Sequence, residues 1–140
     1  MAATTERKIV VHIATSADGY IARTDGGLDW LTERPAPKGF YGMPQFMRSV
    51  DATILGRKTF DASIRLGMKF RRNDGHHVFS RCPPADRAGA NFVTEPIRDF
   101  VARLKSAGGK TVWLMGGGGY ARRSRFPDGV VQNHYEVASG

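Results

Sequence analysis

The 140-residue chain has a single cysteine, Cys82, so no internal disulfide can form. A lone thiol suits a reducing compartment, and a cytoplasmic protein is the expectation. No apolar run approaches the ~20 residues needed to span a bilayer, and Met1 to Lys8 lacks the apolar stretch of a secretion signal. The four histidines, His12, His76, His77 and His134, lack metal-ligand spacing, so no metal site is expected. Acid is also scarce: 13 Asp and Glu stand against 21 Lys and Arg, for a formal net charge of +8. Such a balance suits an anionic partner, whether nucleic acid, an acidic membrane or a phosphorylated small molecule. The basic residues form no continuous stripe. They fall as Arg57-Lys58, Arg71-Arg72, Arg81 and Arg122-Arg123-Arg125, each close to a glycine or a turn. Aromatics do not alternate with them, and no zinc-finger, helix-turn-helix or RNA-recognition signature is present. A phosphate-rich small molecule accounts for these charges more economically than nucleic acid does.

Hydrophobic patterning divides the chain, read as one domain over residues 1–140, into short apolar strands alternating with helices. Lys8 to Ala14, Ala52 to Leu55, His77 to Phe79, Asn91 to Val93 and Lys110 to Met115 read as strands. Leu28 to Thr32 reads as one helical turn, and Pro35 to Gly42 as a break. Pro44 to Val50 reads as a helix with Phe46, Met47 and Val50 on one face. Thr59 to Leu66 reads as a helix with Phe60, Ile64 and Leu66 inward. Glu95 to Ser106 carries Ile97, Phe100, Val101 and Leu104 at helical spacing and ends at Gly108-Gly109. Tyr120 to Arg125 reads as a short basic helix and Val130 to Ala138 as a last strand. His12 is expected to be a satisfied strand residue, His76-His77 a surface pair, Cys82 a partly buried residue, and Trp113 a core residue. This alternation predicts an α/β protein with a mainly parallel sheet.

Three separated pieces each put a turn or a helix start directly after a strand. They are Ser16-Ala17-Asp18-Gly19-Tyr20-Ile21-Ala22, Leu55-Gly56-Arg57-Lys58-Thr59-Phe60, and Val112-Trp113-Leu114-Met115 followed by Gly116 to Gly119. Unpaired backbone N–H groups and the positive end of a helix point outward at such places, where α/β proteins collect phosphates. The glycine run also fits a dinucleotide fingerprint, as Gly116-x-Gly118-x-x-Ala121. That motif should open a βαβ unit at the start of a domain, and here only one strand follows it.

Five motifs in order, Ser-x-Asp-Gly-Tyr-Ile-Ala (16–22), Gly-Gly-x-Asp-Trp-Leu (26–31), Asp51-x-x-x-Leu-Gly-Arg-Lys-Thr-Phe, Val78-Phe79-Ser80-Arg81 and Trp113-Leu-Met-Gly-Gly-Gly, resemble the dihydrofolate reductase superfamily. The nearest branch is that of the reductase domain of bifunctional riboflavin-biosynthesis proteins and of small stand-alone reductases. The resemblance implies a three-layer fold, a mainly parallel central sheet flanked by helices, and NADPH as cofactor. It places Ala14 at the end of the first strand beside the nicotinamide, with Asp18 and Gly19 in a loop closing over it. Gly56 would let the chain turn tightly into a helix, with Arg57, Lys58 and Thr59 in its first turn near the pyrophosphate and 2′-phosphate. Ser80 and Arg81 would serve the adenosine end, and Gly116, Gly117, Gly118 and Gly119 would let backbone approach the pyrophosphate. Trp30, Phe40 and Phe46 would border the substrate cleft. No residue stands out as the catalytic proton donor.

The departures shape the functional reading. Folate reductases grip the pterin with a carboxylate on the helix before the second strand, and residues 36–48 contain none, which argues against dihydrofolate. Riboflavin-pathway relatives usually carry Lys where Tyr20 stands and an Asp-Asp-Pro run where this chain has Phe60-Asp61-Ala62-Ser63. The family usually continues past the position of residue 140, so the C-terminal strands are expected to be truncated. Val130 to Ala138 would then be an uncovered edge that a second copy could pair, giving a homodimer. The expected activity is NADPH-dependent reduction of a small heterocycle, pyrimidine or pterin-like. The alternative is a non-catalytic nucleotide-binding member of the same fold.

Overall fold

In a computed structural model of the chain, one seven-stranded sheet organises the molecule, in the order β4-β3-β2-β5-β1-β7-β6. The structure describes residues 6–17, 20, 23, 25, 27–71, 75–86, 89–116, 124–125 and 131–136, the last two segments by backbone alone. The strands are β1 (Ile9–Thr15), β2 (Val50–Gly56), β3 (His76–Phe79), β4 (Asn91–Val93), β5 (Thr111–Met115), β6 (Ser124–Arg125) and β7 (Val131–Glu136). The helices are α1 (Asp29–Thr32), α2 (Met43–Ser49), α3 (Arg57–Arg65) and α4 (Ile97–Ser106). The pairs β1–β5, β5–β2, β2–β3 and β3–β4 are parallel, whereas β7 runs antiparallel to β1 and β6 antiparallel to β7.

Handedness explains the layering. The connections β1 to β2 and β2 to β3 both step outward in one direction, and the connection β4 to β5 steps back. Right-handed crossovers therefore put α2 and α3 on one face of the sheet and α4 on the other. The packing follows. Phe100 of α4 is buried with Ile9, Ala52, Ile54, Val93 and Val112. On the opposite face Phe60 of α3 is buried with Leu55, Phe70, Val78 and Ala90, and Phe46 of α2 stacks on His12 of β1 with ring centroids 4.0 Å apart. Alternation along β2 sends Ala52 and Ile54 one way and Leu55 the other, the period-2 rule of a strand buried on both faces.

The amino end of the sheet is clamped. Asp51 sits at the β2 bulge between Val50 and Ala52. Its carboxylate pairs with Arg7 Nη2 and accepts the Lys110 backbone N–H at 2.9 Å. Arg7 Nε donates to the Lys110 carbonyl at 2.8 Å, and Lys110 Nζ to the Arg48 carbonyl at 3.1 Å. The side chain of Arg7 is only 6% exposed. Strands β1, β2 and β5 are thus tied by one charged network at the end where they begin.

Several elements depart from the pattern-based reading. Residues 124–125 are paired strand rather than basic helix, and β7 lies between β1 and β6 rather than at the sheet edge. β7 lies within Val130 to Ala138, where a last strand is expected. On the side away from β1, β7 pairs with β6 only at Gln132 and Val131. α2 ends before Val50, whose extended backbone opens β2. α4 starts at Ile97 because Pro96 is extended, and a residue preceding proline resists helix. Met47, Ile64, Leu66 and Ile97 are exposed rather than inward. Phe46 and Phe60 are the buried apolar residues of α2 and α3, whereas on α4 Val101 and Leu104 pack against the core beside the buried Phe100, as their spacing indicates. The break at residues 35–42 contains a left-handed turn in which Gly39, Phe40, Tyr41 and Gly42 all have positive φ. His76 and His77 are half-buried, packed on Phe70 and Phe100, not a surface pair. Among the described residues, no helix is long and apolar enough to cross a membrane.

Candidate functional site

Parallel strands leave their carboxyl ends together, and ligands of open α/β sheets collect there. In this chain three such ends are built differently from the clamped amino end. β2 ends at Gly56 and passes into α3 with no intervening loop. β5 ends at Met115, in register with Leu55, so Gly116 lies beside Gly56. β1 pairs with β7 as far as Thr15 but with β5 only as far as Val11. The last residues of β1, Ala14 among them, therefore extend past the β1–β5 ladder.

The two glycines have different causes. Gly116 has φ +78°, and a Cβ on it would collide with the Thr59 side chain. That contact seats the first turn of α3 against the end of β5, so this glycine is required by the chain's own packing. Gly56 has φ −82° and ψ 163°, an ordinary extended conformation, and a Cβ there would meet nothing within 4 Å. The chain turns directly from strand into helix at Gly56, as expected, but through a backbone conformation that does not require glycine. What glycine preserves there is open space over the helix start.

Beside this point a cleft of about 710 Å³ opens between the start of α3, the end of β3 and the β4–α4 connection. Phe79, Val93 and Ile97 form an apolar wall, and Arg57, Ser80 and Arg81 bring polar groups. Ser80 N–H donates to the Val93 carbonyl at 3.1 Å, and Ser80 Oγ accepts the Cys82 N–H at 3.3 Å, so the 80–82 turn is held from both sides. Arg57 Nε donates to both oxygens of Asp61 at 2.9 and 3.0 Å, and Arg57 Nη1 donates to the Cys82 carbonyl at 2.9 Å. Arg81 and Lys58 are exposed, and among the described residues neither takes an ion pair or side-chain hydrogen bond. Cys82 is exposed on the cleft rather than partly buried. Glu95 also lines the cleft, held at 2.5 and 3.0 Å by the Arg103 guanidinium, whose hydrogen bonds keep its carboxyl below the usual range.

The connection after β1 is closed by local bonds. Ser16 N–H donates to the Tyr20 carbonyl at 2.8 Å and Tyr20 N–H to Ser16 Oγ at 3.0 Å, leaving the Tyr20 side chain 66% exposed. Arg23 then grips Asp29 through two bonds of 2.7 and 2.8 Å, which holds the Asp29 carboxyl below its ordinary range. Trp30 follows, half-buried in α1.

The structure thus brings Gly56, Arg57, Lys58 and Thr59 together with Gly116, and Arg57 together with Ser80 and Arg81. Asp18, Gly19, Gly117, Gly118 and Gly119 lie outside the described residues. Of the three residues read as bordering the substrate cleft, Phe40 is 63% exposed on the left-handed turn, while Phe46 is 8% exposed. Phe46 packs between His12 and Trp113, with the Trp113 ring edge-on at 5.4 Å, and is a core residue rather than a cleft residue. Pattern reading missed Asp61 as the partner of Arg57, although a carboxylate at i+4 from an arginine on a helix was the available signal. Nor did it assign Glu95, Val93 or Ile97 to the cleft. Among the described residues no group of three or more His, Cys, Asp or Glu could hold a metal ion.

No family model matches the chain. It is similar to the "Uncharacterized protein YwjB" of Bacillus subtilis (strain 168), with 40% identity over 114 residues, 80% of this chain and 65% of that protein. It is also similar to the "Uncharacterized protein YyaP" of the same organism, with 28% identity over 124 residues, 80% of this chain and 64% of that protein. The chain therefore spans just under two thirds of the length of each. Among solved structures, the "Putative riboflavin biosynthesis protein" of Shewanella sp. PV-4 matches with a TM-score of 0.60 at 20% identity, over 91% of this chain and 96% of that one. At that identity the likeness concerns the fold: this chain has the α/β architecture, mainly parallel sheet and flanking helices, of the Shewanella protein.

Proposed function

We propose that the chain is an NADPH-dependent reductase of a small heterocycle, pyrimidine or pterin-like, and that the cleft beside Gly56 receives the adenosine half of the cofactor. One observation carries this reading: a cleft of about 710 Å³ at the carboxyl end of a parallel sheet is lined both by apolar residues (Phe79, Val93, Ile97) and by Arg81, which among the described residues takes no ion pair. The planar base would lie on the wall, and its 2′-phosphate would meet Arg81, a charge-assisted pairing that NADH cannot make. The open space over Gly56, the Thr59 hydroxyl and the Lys58 ammonium suit the pyrophosphate. The extension of β1 past Val11 leaves Ala14 as the residue over which the nicotinamide would lie. The bound cofactor would supply the hydride, and the chain's own task is orientation. Dihydrofolate is a poor candidate substrate, because α2 and the turn before it carry no carboxylate to hold a pterin.

The test is a titration of NADPH and NADH followed by the fluorescence of Trp30 and Trp113. NADPH is expected to bind more tightly. Arg81→Ala is expected to weaken NADPH by about 1–3 kcal/mol and to leave NADH nearly unchanged. Equal affinity for both cofactors in the unmodified protein would remove the 2′-phosphate assignment. Tight NADPH binding with no oxidation across a panel of pyrimidines, pterins and quinones would instead favour the non-catalytic nucleotide-binding alternative.

A further inference from the structure

Two arginines line the cleft, and their surroundings differ. Arg81 is exposed and takes no ion pair among the described residues, whereas Arg57 is already engaged on two sides. Its Nε edge faces both carboxylate oxygens of Asp61, one helical turn along α3, and its Nη1 donates across to the Cys82 carbonyl in the turn after β3. A guanidinium presents five N–H donors in a fixed plane, so these bonds fix its orientation as well as using its donors. The Asp61 carboxylate also offsets the positive charge where a dianionic phosphate would need it most. The bond to Cys82 reaches 25 residues along the chain, from the helix after β2 to the turn that carries Ser80 and Arg81.

Resting on the nucleotide reading above, we infer that Arg57 is a positioning residue rather than a phosphate ligand. Clamped by Asp61, it braces the 80–82 turn, and of the two arginines lining the cleft the choice between NADPH and NADH falls to Arg81. The two roles make opposite demands on the side chain. A phosphate ligand needs positive charge, which lysine also supplies. A brace needs two separated N–H donors in one plane, which lysine lacks.

The experiment compares Arg57→Ala, Arg57→Lys and Arg81→Ala by calorimetric titration with NADPH and NADH, alongside amide hydrogen exchange of residues 80–82 without ligand. Both Arg57 variants are expected to lose about tenfold in affinity for NADPH and for NADH alike, as misplacement of a turn would cause. Exchange at Cys82 should accelerate by about tenfold in both Arg57 variants and stay unchanged in Arg81→Ala. Arg81→Ala should lose about 10–100-fold for NADPH only. Retention of the NADPH preference by Arg57→Lys, with loss of it in Arg57→Ala and unaltered exchange at Cys82, would overturn the inference and make Arg57 a phosphate ligand. If the unmodified protein binds neither nucleotide, the cofactor reading fails, and the exchange measurement still decides whether Arg57 braces the turn.

Discussion

The two ends of the sheet are made from similar residues put to opposite use. At the amino end the Arg7 side chain is buried and paired with Asp51, and Lys110 gives its ammonium to the Arg48 carbonyl. At the carboxyl end Arg81 and Lys58 are exposed, with no ion pair among the described residues, and β2 stops at a glycine beneath open space. The amino end ties together segments 44 and 103 residues apart in sequence. It ties the strands together by pairing the buried Arg7 charge with Asp51. Among the described residues the carboxyl end leaves these two cations uncompensated, a cost that a water-exposed surface tolerates and an anionic ligand would relieve. Conformational stability and ligand affinity should therefore respond to mutation at different ends of the same strands.

The sharpest way to break this division is at Asp51. Asp51→Ala would strand the buried Arg7 guanidinium and free the Lys110 N–H. A loss of about 2–4 kcal/mol is expected, below the full penalty for a wholly buried pair because Asp51 itself is 40% exposed. Urea unfolding would measure it, with Arg81→Ala as the counterpart, expected within about 0.5 kcal/mol of the unmodified protein. A comparable loss in both variants would mean that the carboxyl end also carries structural load.

The glycine pair sharpens the comparison within the carboxyl end. Gly116→Ala forces a Cβ into the Thr59 side chain at φ +78° and should destabilise by about 1–3 kcal/mol. Gly56→Ala meets no neighbour and an ordinary φ, so thermal unfolding should show no loss of stability, or a gain of up to about 1 kcal/mol. The same Gly56→Ala protein should bind NADPH less tightly if the pyrophosphate approaches the backbone there. Full affinity in that variant would show that the space over Gly56 is vacant in the complex as well.

What the sequence made legible follows from the range of the interactions concerned. β4 is found at Asn91–Val93, as its apolar pattern indicates, and β1, β2 and β5 fall within two residues of expectation, because burial on both faces writes continuous apolar runs. The grouping of Arg57 with Ser80 and Arg81 was legible as motifs after strands. The clamp was not: Arg7 and Asp51 each look like ordinary surface charges until the fold brings β1, β2 and β5 side by side. The same holds for β6, whereas β7 falls within Val130 to Ala138, where a strand is expected. A segment of Arg and Ser reads as a basic helix by local propensity, and only antiparallel pairing at Ser124–Gln132 and Arg125–Val131 makes it a strand. The inward face was overestimated on α3, where Ile64 and Leu66 are exposed, whereas on α4 Ile97 alone of the four expected residues is exposed and Phe100, Val101 and Leu104 pack on the core.

The smallest expected effect lies between the two ends, on β3. His77 is half-buried against Phe100, at a ring distance of 5.0 Å. Burial first, then the neighbouring His76 and Arg7 charges, lower its pKa from the ordinary 6.5. The sign follows from proton counting. Below about pH 6.5 the unfolded chain binds a proton at this histidine that the folded chain still refuses, so stability falls as pH falls. The contribution is fully present above 6.5, is lost progressively below it, and levels off beneath the folded-state pKa. One proton sets a ceiling of about 1.4 kcal/mol per pH unit on the slope. His77→Phe, which keeps an aromatic ring against Phe100 and removes the titration, should flatten the dependence of the urea midpoint on pH between 6.5 and 5. Since Arg7 raises the cost of protonating His77, Arg7→Gln should also shallow the slope in addition to its larger, pH-independent loss. A slope unchanged in His77→Phe would assign the acid sensitivity to another group.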